Sequence, residues 1–524
     1  MGAGASRVES EGAAAVERGQ LSAAETPPRP TRSLVERLSF RKSMRRQQSK
    51  RDPAEADEAG SDAATTAHSA ATGVAGAVVD ARAAVAAYFE WERAWGTRVS
   101  LGTRETVRAI MGAGGCASED SVDLSGEPGF DGDGARALAA SLPHAGHKLK
   151  VLRALDNELG DGGVAELAAA LAHCGVLREL ALSRNAIGDV GAAAIGDAIA
   201  QGHTPKLTVL SLGRNHLSAA GAEALARGFE RVPDLDVLGL YENDLGDEGG
   251  EAVGRALRHT RRLSRLLLER VGLGAPGALA LASSVASLQR LSTLQLNDNA
   301  IGEAGAVALA AALRASQAPL ERLCIDNNRD IGDAGAAAIF EAIGPTQRSA
   351  LALRTLSAEG VGCGVEGARA LARMLRRAVD VTDLHLSRNP DVGAEGAAAL
   401  GASLACAGRL WRLALGRCAL GDEGARALAP ALAQLRHLST LALHGNGLSD
   451  EGAAALSDAL SGSQALVLLY LHRNELSDSG ARQLGRSLCG APGLAEAHLE
   501  GNRLSEAGAL RHSLERTLTG QVFT

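Results

Sequence analysis

The sequence predicts an α/β solenoid, a horseshoe with parallel strands on its concave side and helices on its convex side, preceded by a disordered N-terminal arm. Three observations lead there. A unit of 28 or 29 residues recurs along most of the 524 residues. Within each unit, leucines alternate in a short strand-like run and small apolar residues then return at helical spacing. Only 2% of the residues are aromatic although 46% are hydrophobic. The core is therefore built of Leu, Ile, Val and Ala, whose modest side chains let identical layers approach closely.

The chain begins Met1-Gly2-Ala3-Gly4-Ala5-Ser6-Arg7, which fits the M-G-x-x-x-[ST] signal for myristoylation of Gly2. An Ala/Gly-rich start matching by accident is the alternative. Between Arg29 and Arg51 stand nine basic residues and one acid, Glu36, although the whole chain carries a formal charge of -7. One acyl chain holds a membrane only marginally. Arg37, Arg41, Lys42, Arg45, Arg46, Lys50 and Arg51 supply the second signal, each worth about 1 kcal/mol near an anionic leaflet. Ser39, Ser43 and Ser49 lie among them, so phosphorylation would cancel charge where binding depends on it. The Gly2 start and Arg37-Leu38-Ser39-Phe40-Arg41-Lys42-Ser43 resemble the myristoylated, alanine-rich C-kinase substrates, over the arm alone. A nuclear-import or nucleic-acid arm is the competing reading; nucleic acid is not the expected partner. Residues 52–74 are rich in Ala, Asp, Glu, Ser and Thr without an apolar period, which predicts a flexible tether and closes a 1–74 arm. Residues 75–118 gather scarce aromatics, Tyr88, Phe89, Trp91 and Trp95, in a helical stretch. Such a stretch caps the exposed core of a first repeat; a separate partner-binding helix is the alternative.

From 119 to 524 the pattern L-x-x-L-x-L-x-x-N-x-L dominates, clearest in Leu207-Leu210-Leu212-Asn215-Leu217 and Leu438-Leu441-Leu443-Asn446-Leu448. The asparagine position falls at Asn157, Asn185, Asn215, Asn243, Val271, Asn299, Asn328, Val361, Asn389, Cys418, Asn446, Asn474 and Asn502, thirteen copies. A degenerate copy over Val122–Leu142 makes fourteen layers. Asparagine at the turn bonds neighbouring backbone as a ladder, which Val271 and Val361 cannot join. The longer spacing before Val361 places an insertion at Pro345–Leu351 on the surface. These residues resemble the leucine-rich-repeat family, specifically the ribonuclease-inhibitor-like class found in NOD-like receptors and Ran GTPase-activating proteins. The resemblance implies a concave face that engages a protein partner. Its catalytic variant implies a GTPase-activating protein for a small Ran-like GTPase.

Outward strand positions in the middle layers include Tyr241, Glu242, Arg265, Glu269, Arg270, Gln295, Asn297, Asp298, Arg322, Asp326 and Asn327, a polar patch of mixed charge. Arg184, Arg214, Arg270, Arg388, Arg417 and Arg473 each precede the asparagine position. An arginine column suits acidic or phosphorylated partners, and a solvated charged surface is the plainer alternative. In the last layers His444, Tyr470, His472, Arg473, His498 and Glu500 fall together. A partner patch anchored on Tyr470 is expected there rather than a metal site, since neither an i, i+4 histidine pair nor Cys/His spacing is present.

Gly362-Cys363-Gly364-Val365-Glu366-Gly367 matches G-x-G-x-x-G, yet the same glycines recur at the turn of other repeats. No G-x-x-x-x-G-K-[ST] and no H-E-x-x-H occurs. No catalytic residue, cofactor or metal is expected. The seven cysteines are scattered without C-x-x-C spacing, as in reduced intracellular proteins. No run of 18 apolar residues exists. The expected protein is a non-catalytic scaffold or sensor, cytoplasmic and peripheral on the cytoplasmic face of a membrane.

Overall fold

The computed structural model describes residues 87–95, 98–111, 120–316, 318–343, 353–377, 380–488, 491 and 493–505. By contact the chain divides between Val74 and Ala75, and every described residue belongs to the second part. Gly2, the basic segment, the tether and the insertion at Pro345–Leu351 lie outside the described residues.

Among the described residues, fourteen strands of three residues each, from β1 (Ser121–Asp123) to β14 (Glu496–His498), form one sheet in chain order. Each pairs in parallel with the next, and the register never slips. The central residues therefore stack in one column, among them Val122, Leu152, Leu180, Leu210 and Leu238. They point inward and are at most 1% exposed. A one-residue slip would turn the whole column to solvent, and this is what fixes the register.

Helices of 8 to 14 residues follow the first thirteen strands. The helix Gly302–Ala315 buries Gly305, Ala306, Leu309, Ala310 and Ala312, one stripe at helical spacing. Small residues are needed where neighbouring helices touch: a methyl on Gly196 would sit 2.3 Å from the Ala224 carbonyl oxygen. Strands stack about 4.8 Å apart while helices need about 8–10 Å. The mismatch curves the stack with the strands inside, giving the horseshoe. At the open end of the first layer, Trp91 is 5% exposed and its Nε1 donates to the Ala137 carbonyl at 2.6 Å. Tyr88 stacks on Trp91, and Val107 and Ile110 of the helix Leu101–Ile110 join the same core.

The asparagine ladder ties each layer to the one before it by bonds both given and received. Asn215 Nδ2 donates to the Leu182 carbonyl of the preceding layer, while its Oδ1 accepts from the amides of Asn185 and Ile187. Asn243, Asn389, Asn446 and Asn474 repeat the donation. Cys418 substitutes through its thiol, Sγ lying 3.2 Å from the Leu386 carbonyl. Val271 and Val361 are fully buried hydrocarbon and leave their rungs unmade, as their side chains require.

A second ladder, of aspartates, is not anticipated by the repeat pattern alone. Asp189 at the start of one helix accepts from the amides of Ser218 and Gly221 and from the Ser218 hydroxyl, at the start of the next. Asp161, Asp247, Asp333, Asp422, Asp450 and Asp478 act likewise. At Gly188, Ser218, Gly274 and Ser449 the receiving helix starts at an extended glycine or serine. Where that position holds Gly132, Ala219, Ala275, Glu303, Val365 or Ala394, the next helix instead opens on a glycine in the left-handed region, such as Gly246 with φ +62°. Its amide turns away and donates forward to the Val271 carbonyl. Each repeat thus specifies the turn of its successor.

Asp450→Ala should cost about 1–2 kcal/mol, as loss of an N-cap does, read as a lower urea midpoint. Burial raises the Asp450 pKa, but bonds from Ser477 and Gly480 outweigh it and leave it below the usual carboxylate value of 3.8. A folded value below the unfolded one means the stabilisation is present above about pH 4 and disappears as pH falls through the folded value. Wild type and variant should converge in acid; an equal gap at pH 7 and below pH 3 would contradict the ladder.

Candidate functional site

The strand face is the surface the repeats leave open. Three positions of each layer point outward from it, two within the strand and one just beyond. In β5 (Val237–Gly239) and its turn these are Val237, Gly239 and Tyr241, with Leu238 and Leu240 facing the core. Arg265 and Glu269, Gln295 and Asn297, and Arg322 and Asp326 hold equivalent positions in the next three layers. The central patch is therefore contiguous. Arg265 and Arg322 are exposed, and Tyr241, Asn297 and Asp298 half-buried.

The row immediately before the asparagine has a property not visible in its residue types. Asp156, Arg184, Arg214, Glu242, Arg270, Asp298, Asn327, Arg388, Arg417 and Arg473 all have φ between 50° and 65°. Gly126, Gly360, Gly445 and Gly501 occupy the same place in the remaining layers with φ from 61° to 69°. Every layer makes its turn through the left-handed region, and ten do so with a side chain.

Most of this row is neutralised from within. Arg184 pairs with Asp156 at 2.6 Å, Arg214 with Glu242 at 2.8 Å and Arg270 with Asp298 at 3.7 Å. Arg388 reaches past Gly360 to the Asn327 amide oxygen at 3.3 Å. Arg417 and Arg473 have no side-chain partner among the described residues.

Within the central patch a hydrogen-bonded line runs across layers. Asn297 Oδ1 accepts from the Asp326 amide, Asp326 accepts from Ser357 Oγ and the Glu359 amide, and Glu359 lies 3.5 Å from His385 Nδ1. Burial raises the Asp326 and Glu269 pKa values, partly offset at Asp326 by those donors. Burial also pushes the nearby Cys324 thiol up to about 12. Such a thiol is not a poised nucleophile. Cys174 and Cys418 are likewise pushed up to about 12 by burial.

The C-terminal patch is an array of rings. His444 and His472 stack in parallel with centroids 4.5 Å apart, and Tyr470 and His498 stack at 4.7 Å. Tyr470 meets His472 edge-on at 6.2 Å, which joins the two pairs. His498 lies between Glu500 at 3.1 Å and Glu496 at 3.2 Å. Burial, the neighbouring His472 and Arg417 push His444 down to about 4. His472 is lowered as well, by burial first, with His498 and Arg473 acting in the same sense and Glu500 against them. Both rings are uncharged at neutral pH. Gly416 makes the space: a Cβ there would lie 2.1 Å from His444 Cε1. Gly213 does the same for the Tyr241 ring, 2.3 Å away. Glycines that seat an aromatic ring from the following layer are signals a repeat alignment passes over.

Among the described residues no group of three or more His, Cys, Asp or Glu is placed to hold a metal ion. No described helix is long and apolar enough to cross a membrane. The G-x-G-x-x-G stretch is occupied by its own scaffold, because Asp333 takes the amides of Gly364 and Gly367 that a phosphate would need.

Six stretches of the chain, 173–196, 203–226, 288–310, 380–401, 410–429 and 434–457, match the family described as Leucine Rich repeat. With fourteen in-register layers of strand and helix, that decides the family. The chain is a leucine-rich repeat protein. Among solved structures, an internalin of Listeria monocytogenes is similar at 18% identity, covering 76% of this chain and 94% of that one, with a TM-score of 0.48. A chain of the yeast Rad7–Elc1 complex is similar at 16% identity over 86% of this chain and 96% of that one, with a TM-score of 0.43. A leucine-rich repeat protein of Leptospira interrogans is similar at 16% identity over 78% and 95%, TM-score 0.40. These likenesses concern the fold alone. No curated relative matches the sequence.

Gly416→Ala should displace His444 and cost about 1–3 kcal/mol, as overpacking does, and abolish the mutual ring-current shifts of His444 and His472. Gly408→Ala, which faces open space, should leave both unchanged. Unaltered histidine resonances in Gly416→Ala would refute the seating.

Proposed function

We propose that this leucine-rich repeat protein is a non-catalytic scaffold or sensor that grips a protein partner on its strand face, and that a lipidated Gly2 with the basic segment holds it at the cytoplasmic face of a membrane. The left-handed turn row carries the first half of this reading. Four layers make the turn with glycine, at no steric cost, while ten retain a side chain there. A non-glycine residue in that region is disfavoured by about 1–2 kcal/mol. Side chains retained against such a cost on a solvent-facing row serve recognition from outside the chain. The residue types agree, since Tyr and Arg dominate the energetics of protein interfaces. Tyr241, Arg265, Glu269, Arg270, Asn297, Asp298, Arg322 and Asp326 form one contact region of mixed charge. His444, Tyr470, His472, Arg473 and His498 form the second.

Affinity capture with the intact chain tests the face. Arg322→Glu or Tyr470→Ala should lower recovery of a partner by about tenfold or more. Arg426→Glu, on a helix and paired with Glu451, should recover it as wild type does. Identical recovery by all variants would sink the reading. If the captured partner is a small GTPase whose GTP hydrolysis the chain accelerates, the chain is an activator rather than a scaffold.

The membrane half rests on the Gly2 signal and on Arg37, Arg41, Lys42, Arg45, Arg46, Lys50 and Arg51. Gly2→Ala should move the protein from the membrane to the soluble fraction. An unchanged distribution would remove this half and leave the strand-face reading intact.

A further inference from the structure

Two of the six arginines in the turn row stand apart from the others. Arg184, Arg214 and Arg270 each have an acid in a neighbouring layer, and Arg388 spans the gap left by Gly360 to reach Asn327. The second glycine gap has no such bridge. Gly445 lies between Arg417 and Arg473, so the residues facing each other across it carry like charge. Their Cα atoms are two strand spacings apart, about 10 Å, a distance that two guanidinium groups on long side chains close easily around a shared ion. The floor of the gap is the His444–His472 stack, and His444 Nδ1 is buried without a hydrogen-bond partner. That nitrogen packs against Gly416, and its unmet bond lies within the field of both arginines, where a buried polar atom left unpaired costs free energy.

We infer that Arg417, Gly445 and Arg473 form an anion site that receives a phosphate monoester carried by the protein partner. The inference rests on the strand face being a protein-binding surface. A phosphate monoester brings close to two negative charges and three acceptor oxygens, enough to answer both guanidinium groups together. A carboxylate brings one charge and leaves one arginine uncompensated. The local field agrees with the geometry. His444 is held down by burial, His472, Arg417 and Arg473, with Glu359 opposing. His472 is held down by burial, His498, Arg473 and Arg417, with Glu500 opposing. An anion in the gap reverses the arginine contribution to both, so the site takes up a proton as it fills.

The test uses the full chain and two probes, inorganic phosphate and a degenerate peptide library with a central phosphoserine, phosphothreonine or phosphotyrosine, each set against its unphosphorylated twin. The phosphorylated library should bind about tenfold or more tighter than its twin, and should move the Hε1 resonances of His444 and His472 toward their protonated positions. Arg417→Gln and Arg473→Gln should each weaken that binding about tenfold, whereas Arg426→Gln, on a helix and paired with Glu451, should keep it within about twofold. Equal binding of library and twin, or histidine signals that do not move, overturns the proposal. Saturation by inorganic phosphate at the same concentration as the library also overturns it, by assigning the gap to free phosphate. If Tyr470→Ala loses the captured partner while phosphatase treatment of that partner does not, the strand-face reading stands and the phosphate site falls.

Discussion

The layers of this protein satisfy their turns only in part from within. A strand of three residues ends in a loop whose amides and carbonyls point along the stack; its own asparagine meets some, as Asn215 does at the Leu212 carbonyl, and the neighbouring layer meets others. Asn215 bonds the carbonyl of Leu182 before it and is met by the amides of Asn185 and Ile187. Buried backbone groups left unpaired are costly. The ladder is therefore the condition under which identical layers stack at all. Hydrophobic burial fixes the register of the strands; hydrogen bonds of fixed direction then tie each turn to its neighbour.

The aspartate ladder adds a constraint of a different kind. Asparagine acts the same way wherever it occurs, whereas aspartate is matched, where present, by the backbone of the following helix start. Asp247 faces an extended Gly274, whereas Ala219 is followed by Gly246 in the left-handed region. Both arrangements give the helix-start amide an acceptor, one backward to a carboxylate and one forward to a carbonyl. An exchange of Asp for Ala in one repeat is thus coupled to its neighbour, and a repeat cannot be transplanted without regard to the one after it. This is nearest-neighbour coupling in the sense expected for solenoids.

The architecture is readable in the sequence because its period is carried by buried leucines, and a residue with one permitted face leaves a strong signal. The fourteen layers, the degenerate first copy at Val122 and the failed rungs at Val271 and Val361 all follow from that signal. Turn geometry is weaker in the text, because arginine, aspartate and glutamate share the row and obscure its common conformation. The glycines that share its place, Gly126, Gly360, Gly445 and Gly501, are the only trace of that conformation in the residue types. The residues of the C-terminal patch are legible as neighbours, but not their stacking, which depends on Gly416 having no side chain to fill the seat of His444. Whether an arginine is paired is not legible either, because the answer lies one or two layers away.

The same geometry that forces the turn row also decides where the face can hold net charge. Neighbouring row positions are one strand spacing apart, close enough for long side chains to neutralise each other, as Arg214 and Glu242 do. A glycine in the row removes one partner and doubles the span. At Gly360 the flanking residues are complementary, and Arg388 and Asn327 close the gap. At Gly445 they are both arginine, and closure from within is electrostatically barred. The uncompensated charge of the row is therefore localised at one gap, beside two rings that burial first, and the arginines in addition, hold below the usual histidine pKa.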